Sequence, residues 1–244
     1  MSAATEPGAL SRALKSVDAW WTVFAVDPIA MRVLPSLLRR EWITPNRVTG
    51  FAVVLGVASV GYFSTNHLLI GAILYELRFF FDCLDGKIAR VRRTSSPAGA
   101  IFDRLADALI VPAAFTAIGW NLSQQGHWLP ALALLPALMS TVVTVCDLSL
   151  AAIRDKDTGD PPTSVEPSSL WVARWSRRHR LTLRPWTVEA ETVGLFLGPL
   201  IWHGSGLADA ELGVCALYGT FVLVDIAFIA SAAARLTRHG QAPA

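Results

Sequence analysis

Four aspartates in two pairs carry the clearest chemical signal in this sequence. Asp82 and Asp85 stand in the run Asp82-Cys83-Leu84-Asp85-Gly86-Lys87-Ile88-Ala89-Arg90, and eight residues later Asp103 and Asp107 stand in Gly99-Ala100-Ile101-Phe102-Asp103-Arg104-Leu105-Ala106-Asp107. Helix positions three or four apart share a face, so each run predicts a helix presenting one carboxylate pair. The intervening Val91 to Ala98 is short enough for an antiparallel hairpin, and Ser96-Pro97 reads as an N-cap followed by a first-turn proline. The two pairs can then face each other.

Carboxylates gathered in this way repel one another, and at membrane depth each is costly to bury. They call for a cation. Oxygen-only ligation suits Mg²⁺, Mn²⁺ or Ca²⁺, and Mg²⁺ commonly binds a few carboxylates while substrate phosphates complete its shell. Gly86, Ala89 and Gly99 are small where the helices would approach, leaving room for close packing or a flat ligand. Arg90, one turn beyond Gly86, is placed to hold a phosphate. The plainer alternative, helix-end ion pairs with Arg90, Arg92, Arg93 and Arg104, leaves the small residues at fixed spacing without a reason.

The elements that must position these residues read as membrane helices. Of 244 residues, 53% are hydrophobic and only 16% charged, with a mean hydropathy of +0.45; a soluble domain carries roughly a quarter charged residues. Apolar stretches near the length needed to cross a bilayer fall at about 47–64, 68–90, 99–120, 127–150, 190–204 and 209–234. The expected fold is therefore an all-α integral membrane protein of six transmembrane helices. The fifth stretch is short, and Gly194, Gly198 and Pro199 within it need neighbours that satisfy the backbone. The linkers Thr65 to His67, Asn121 to Gly126 and His203 to Ala208 lack Lys and Arg, whereas the other side collects Arg12, Lys15, Arg32, Arg39, Arg40, Arg47, Arg90, Arg92, Arg93, the stretch Arg154 to Arg184, Arg235 and Arg238. By the positive-inside rule both termini and the aspartates face the cytoplasm. Trp42, Trp120, Trp128 and Trp202 mark span ends.

Residues 17–41 read as an interfacial amphipathic helix kinked at Pro28 and Pro35, and 155–188 as a cytoplasmic loop. The expected organisation is a cytoplasmic N-terminus with interfacial helix over 1–41, a six-helix membrane domain over 42–236 and a cytoplasmic tail over 237–244. Cys83, Cys146 and Cys215 are far apart and suggest neither a disulfide framework nor a C-x-x-C metal site. No continuous apolar core in residues 1–16 suggests a cleavable leader. A net charge of +2 gives no reason to expect nucleic acid.

With its spacing intact, D-x-x-D-G-x-x-A-R, eight residues, G-x-x-x-D-x-x-x-D, the sequence resembles the CDP-alcohol phosphotransferase (CDP-alcohol phosphatidyltransferase) family. Thr44-Pro45-Asn46-x-x-Thr49 at the start of the first span extends the likeness. The resemblance implies transfer of a phosphoalcohol group from a CDP-alcohol to an acceptor hydroxyl with release of CMP. It implies two Mg²⁺ (or Mn²⁺) ions on Asp82, Asp85, Asp103 and Asp107, with Asp107 also the base that takes the acceptor proton. It further implies a CDP pocket lined by Asn46, Thr49, Gly86, Ala89, Arg90, Ser96 and Gly99, and a homodimer in the plasma (inner) membrane. For Thr44-Pro45, a helix cap and first turn is an equal alternative to a ligand role.

CDP-diacylglycerol fits a site open to the cytoplasmic leaflet, giving phospholipid biosynthesis as the leading assignment, with an alcohol or phosphoalcohol acceptor. A soluble CDP-alcohol or a specialised-metabolite acceptor is the alternative. Arg177, Arg178, Arg180 and Arg184 could bind an acceptor phosphate or simply obey the positive-inside rule. For Glu76, Arg78, Asp147 and Asp225, mutual pairing inside the bundle is the expectation. Two rivals stand beside this reading. A membrane prenyltransferase would need a second Asp-rich cluster on a distant span, for which only Asp155, Asp157 and Asp160 offer themselves; a metal transporter would pass ions without releasing CMP.

Overall fold

The structure, a computed structural model, describes residues 7–95, 97–124, 138, 175, 178–181 and 186–205, with the isolated positions 219, 220, 223, 224, 226, 227, 230 and 234. The elements are α1 (Pro7–Ser11), a π-helical turn (Thr22–Val26), α2 (Asp27–Leu38), α3 (Pro45–Ser64), α4 (Leu68–Arg92), α5 (Pro97–Gln124), α6 (Trp186–Thr192), a second π-helical turn (Val193–Leu197) and α7 (Gly198–Ser205). Among the described residues there is no strand, only an isolated bridge between Asp18 and Leu181. The expected spans over 127–150 and 209–234 lie wholly or largely outside these residues.

The helix starts follow local chemistry. Thr44, extended at φ −98° and ψ 154°, accepts the Arg47 amide on its side chain, and Pro45 opens α3 where its missing N–H costs nothing. The Thr44-Pro45 pair is thus a cap and first turn. Asn66 makes the tight return to α4 in the left-handed region at φ 64°, a conformation that asparagine tolerates better than most residues. Arg93 closes α4 at φ 55°, its amide donating to the carbonyls of Ala89 and Arg90. After this stop only a short link precedes Pro97, the first residue of α5. The two helices are thus joined by the short link read from Val91 to Ala98.

α3 packs against both α4 and α5. At Gly56 a Cβ would stand 2.7 Å from Ile110 Cδ1, so α3 and α5 approach only because that side chain is missing. Ser59 Oγ donates to the Gly71 carbonyl at 2.8 Å, joining α3 to α4 inside the bundle. One apolar cluster holds Phe63, Ala72, Tyr75, Ile110, Ala114, Phe115 and Leu195. A second, around Leu34, Ile43, Val48, Leu84 and Ile88, seats α2 on the end of α4 that carries the first aspartate pair.

The outer faces are apolar. Phe51, Val54 and Val57 on α3, Ile70, Ile73 and Leu77 on α4, and Ile101, Leu105 and Leu109 on α5 are all exposed at helical spacing. Contiguous apolar stripes of this kind mark surfaces that meet lipid or another protein. Among the described residues, Pro45–Ser64 is the one helix both long and apolar enough to cross a membrane. α4 and α5 are longer, at 25 and 28 residues, but carry the charged residues of the site.

Within 17–41 the helical residues run unbroken from Trp20 to Leu38, with the π-helical turn Thr22–Val26 just before Pro28, and with Pro35 inside α2. Its buried face, Ala30, Leu34 and Leu38, recurs every four residues. The glycine-marked fifth stretch starts earlier than residue 190, at Trp186, and is interrupted by the π-helical turn Val193–Leu197.

Candidate metal and phosphate centre

Helices α4 and α5 bring Asp82, Asp85 and Asp103 together. One carboxylate oxygen from each lies within 4.8 Å of the others, and one Asp103 oxygen is buried without a hydrogen-bond partner. An all-oxygen trio with an orphaned acceptor fits a hard divalent cation of the Mg²⁺ or Mn²⁺ kind. α3 supports the trio from the side: Thr49 Oγ1 lies 2.5 Å from Asp85 Oδ2 and 3.1 Å from the Pro45 carbonyl. A threonine one turn into α3 thereby orients a carboxylate of α4.

Asp107 is placed differently. It forms an ion pair with Arg78, whose residue is only 2% exposed. The Arg78 guanidinium carbon lies 5.6 Å from the Tyr75 ring centroid, and the Tyr75 hydroxyl donates to Glu191 Oε2 at 3.1 Å. Of Glu76, Arg78, Asp147 and Asp225, expected to pair inside the bundle, the last two lie outside the described residues. Glu76 accepts the Trp21 indole N–H at 2.8 Å.

Gly86 and Arg90 make one unit. A Cβ at Gly86 would stand 3.2 Å from Arg90 Nη1, so the guanidinium lies back along the helix over a missing side chain. Arg90 Nε donates to the Ala13 carbonyl at 2.9 Å, and its terminal nitrogens lie over Gly86. Ala89 is half-buried beside it. Asn46 is exposed on the first turn of α3. Gly99 lies in the first turn of α5, while Ser96 lies outside the described residues.

The N-terminal segment is fastened to this end of the bundle. Lys87 Nζ, inside the first motif, lies 2.8 Å from Asp27 Oδ1, and Arg180 Nη2 lies 3.1 Å from Asp27 Oδ2. The Arg180 Nε donates to the Lys15 carbonyl at 2.8 Å, and its own carbonyl accepts the Asp18 amide at 2.8 Å. The backbone amides of Trp20 and Trp21 donate to Glu189 Oε1 at 2.5 and 3.3 Å. Arg92 reaches the carbonyls of Ile43, Leu38 and Arg40. Of the four arginines considered for an acceptor phosphate, Arg180 is thus engaged with Asp27 and Lys15, Arg178 is exposed, and Arg177 and Arg184 lie outside the described residues.

Sequence reasoning missed Ala13, Asp27, Lys87, Glu189 and Glu191 as parts of this assembly. The two glutamates had a usable signal, since ionisable residues at the mouth of an apolar run ask for partners. Asp27 and Lys87 had none, lying far apart in the chain.

Known proteins resemble this chain in sequence and fold. The sequence matches the CDP-alcohol phosphatidyltransferase family over residues 42–168, just over half of the chain. It is 35% identical over 95 residues to a bifunctional IPC transferase and DIPP synthase of Rubrobacter xylanophilus, covering 37% of this chain and 22% of that protein. It is 36% identical over 88 residues to a phosphatidylinositol phosphate synthase of Mycobacteroides abscessus, covering 36% of this chain and 40% of the relative. A CDP-diacylglycerol–serine O-phosphatidyltransferase of Helicobacter pylori is 31% identical over 96 residues, 37% of this chain and 40% of the relative. The matches therefore span well under half the length of these relatives. The crystal structure of Mycobacterium tuberculosis phosphatidylinositol phosphate synthase in complex with manganese and citrate superposes with a TM-score of 0.57 at 21% identity, covering 89% of this chain and 90% of that one. The same enzyme with CDP-DAG bound gives 0.54 at 21% identity, over 87% and 92% of the two chains. These likenesses establish a shared fold.

Proposed function

The chain belongs to the CDP-alcohol phosphatidyltransferase family, and on that footing we propose that it transfers the phosphoalcohol group of a membrane CDP-alcohol, CDP-diacylglycerol first, to an acceptor hydroxyl with release of CMP. The observation that carries the reading is the Asp82, Asp85, Asp103 trio, gathered within 4.8 Å by two consecutive helices. The solved neighbour bound to CDP-DAG supports the choice of donor.

Asp82, Asp85 and Asp103 would hold Mg²⁺ or Mn²⁺. Such an ion, when bound, neutralises charge on a pyrophosphate and on departing CMP. Arg90, laid over Gly86, binds a donor phosphate through its terminal nitrogens. Thr49 keeps Asp85 in one orientation. Asp107 accepts the acceptor's hydroxyl proton. The acceptor oxygen then forms a new bond to the phosphorus bearing the donor alcohol, the bond between that phosphorus and the CMP oxygen breaks, and CMP leaves with the electron pair. The exposed apolar stripes of α3, α4 and α5 support a place in the bilayer, and the basic linkers support a site on the cytoplasmic side.

The test is incubation of membranes containing the chain with CDP-diacylglycerol, Mg²⁺ and a panel of alcohol and phosphoalcohol acceptors, reading CMP and product mass. Acceptor-dependent CMP release is expected. A chain that carries divalent ions across vesicles and releases no CMP from any CDP-alcohol would be a transporter instead.

A further inference from the structure

α2 ends at Leu38 and α3 begins at Pro45, and the residues between them belong to no helix or strand. A helix also leaves its last carbonyls without partners of its own. One side chain of α4 serves this corner. Arg92, the last residue of α4, donates through Nη1 to the Ile43 carbonyl and through Nη2 to the carbonyls of Leu38, at 3.3 Å, and Arg40, at 3.1 Å. A planar guanidinium presents several donors in fixed directions, which a lysine, with one nitrogen, does not. The corner runs straight into the cap of α3: Thr44 follows Ile43 and accepts the Arg47 amide on its side chain. One turn into α3, Thr49 Oγ1 lies 2.5 Å from Asp85 Oδ2. Arg92 and Asp85 both belong to α4, so this helix holds the chain just before the cap and meets it again at Thr49.

We propose that Arg92 is a positioning residue for the metal centre, setting the start of α3 against α4 so that Thr49 meets Asp85, a role that rests on the metal-dependent reaction proposed above. A helix rises about 1.5 Å per residue, so the cap and the Thr49 hydroxyl are roughly 8 Å apart on one stiff element. A shift at Ile43 is therefore passed on to Thr49. The neighbouring contacts do a different job. Lys87 holds Asp27 at the start of α2, and the apolar cluster around Leu34, Ile43, Val48, Leu84 and Ile88 seats α2 on α4. Both remain when Arg92 is replaced. The corner itself is wet, with Arg39, Arg40, Glu41 and Trp42 exposed, so water can take up carbonyls that lose the guanidinium. Removing Arg92 should thus loosen the register of α3 on Asp85 without unfolding the bundle. Arg92 touches neither metal nor substrate in this scheme and acts through Thr49.

The test uses Arg92→Gln, Arg92→Lys, Thr49→Val and the double variant Arg92→Gln with Thr49→Val, each as the full chain in nanodiscs of neutral lipid. The readout is the affinity for Mn²⁺ alone, titrated by electron paramagnetic resonance, with thermal unfolding measured alongside. Groups that orient a metal ligand are typically worth 10-fold to 100-fold in metal affinity, so Thr49→Val should weaken Mn²⁺ binding by about tenfold or more. Arg92→Gln, one step further out, should weaken it by about threefold or more. Arg92→Lys should fall between Arg92→Gln and wild type. Residues that act in one series are not additive, so the double variant should bind Mn²⁺ no more weakly than Thr49→Val. A lowered unfolding temperature with unchanged Mn²⁺ affinity would make Arg92 a cap of α2 alone and overturn the proposal. An Arg92→Gln effect that persists in full beside Thr49→Val overturns it too. If Arg92→Gln does not fold, Arg92→Lys decides by the same comparison: a weakening that Thr49→Val abolishes supports the role, and any other result, including failure of both variants to fold, overturns it. Should the wild-type chain release no CMP, the reaction proposed above fails while the Mn²⁺ series still decides the place of Arg92; a wild-type chain that binds no Mn²⁺ overturns both.

Discussion

Lys87 Nζ sits 2.8 Å from Asp27 Oδ1, and both side chains are almost completely removed from solvent. Lys87 occupies a variable position of the first motif, so its role is to hold α2 and the 178–181 segment against α4. The two partners are not equivalent: Asp27 also has Arg180, while Asp27 is the acid recorded beside Lys87. Asp27→Asn should therefore cost about 3–5 kcal/mol of stability, the penalty for stranding a buried charge. Lys87→Met should cost less, and the double variant less than the sum. Thermal unfolding of the three variants in detergent checks this; equal and additive losses would show that the two side chains do not act as a pair.

Thr49 offers a milder test of the centre. Thr49→Val keeps the side-chain shape and removes the hydroxyl beside Asp85 Oδ2, a hydrogen bond to a charged group worth about 1.5–3 kcal/mol. We expect CMP release to fall at least severalfold, with Thr49→Ser close to wild type. Steady-state rates for both variants settle it, and a Thr49→Val enzyme as active as wild type would mean that Asp85 needs no such support.

Asp82 and Asp107 should fail in different ways. Asp82→Asn removes charge from the trio, so Mn²⁺ binding, donor binding and turnover should be lost together. Asp107→Asn keeps size and one oxygen but cannot take a proton, and losing general-base help typically costs 10² to 10⁴ in rate. Donor affinity should survive in the second variant. If Asp107→Asn loses donor affinity as completely as Asp82→Asn does, Asp107 is chiefly a metal ligand.

Membrane orientation is open to chemical labelling. Asn66→Cys at the α3–α4 turn and Ser123→Cys near the end of α5 should react with an impermeant maleimide from the non-cytoplasmic side, and Arg93→Cys from the cytoplasmic side. Reaction of Asn66→Cys from the cytoplasm would reverse the proposed arrangement.

The two aspartate-bearing helices were legible in the sequence because their determinants are local. Spacing of three or four places carboxylates on one helix face, and Arg93 and Pro97 stop and restart the helix within a few residues. Thr49 was legible as a site residue but not as a partner of Asp85, since the contact depends on how α3 packs on α4. The Gly56 and Ile110 contact sets that packing from another helix again. Arg78 was legible as a charge that must pair inside the bundle, but the acid it meets was not, since the Asp107 contact depends on how α5 sits relative to α4. The N-terminal fastening left no trace in the sequence, because Ala13 to Arg90 and Trp21 to Glu189 are single contacts across long stretches of chain with no periodicity of their own.

That fastening has a consequence for how the protein is made. The ribosome delivers residues 13–27 first, but their partners come much later: Lys87 and Arg90 with α4, then Arg180, and last Glu189 at the head of α6. Until Glu189 arrives, the backbone amides of Trp20 and Trp21 lack their carboxylate acceptor, while the Trp21 indole can already meet Glu76 of α4. Chains build their early parts first as synthesis proceeds, yet here the earliest segment gains its last contacts only when Glu189 has been made. A nascent chain halted before that point would contain all four motif aspartates and still lack the contacts that Glu189 makes with the N-terminal segment.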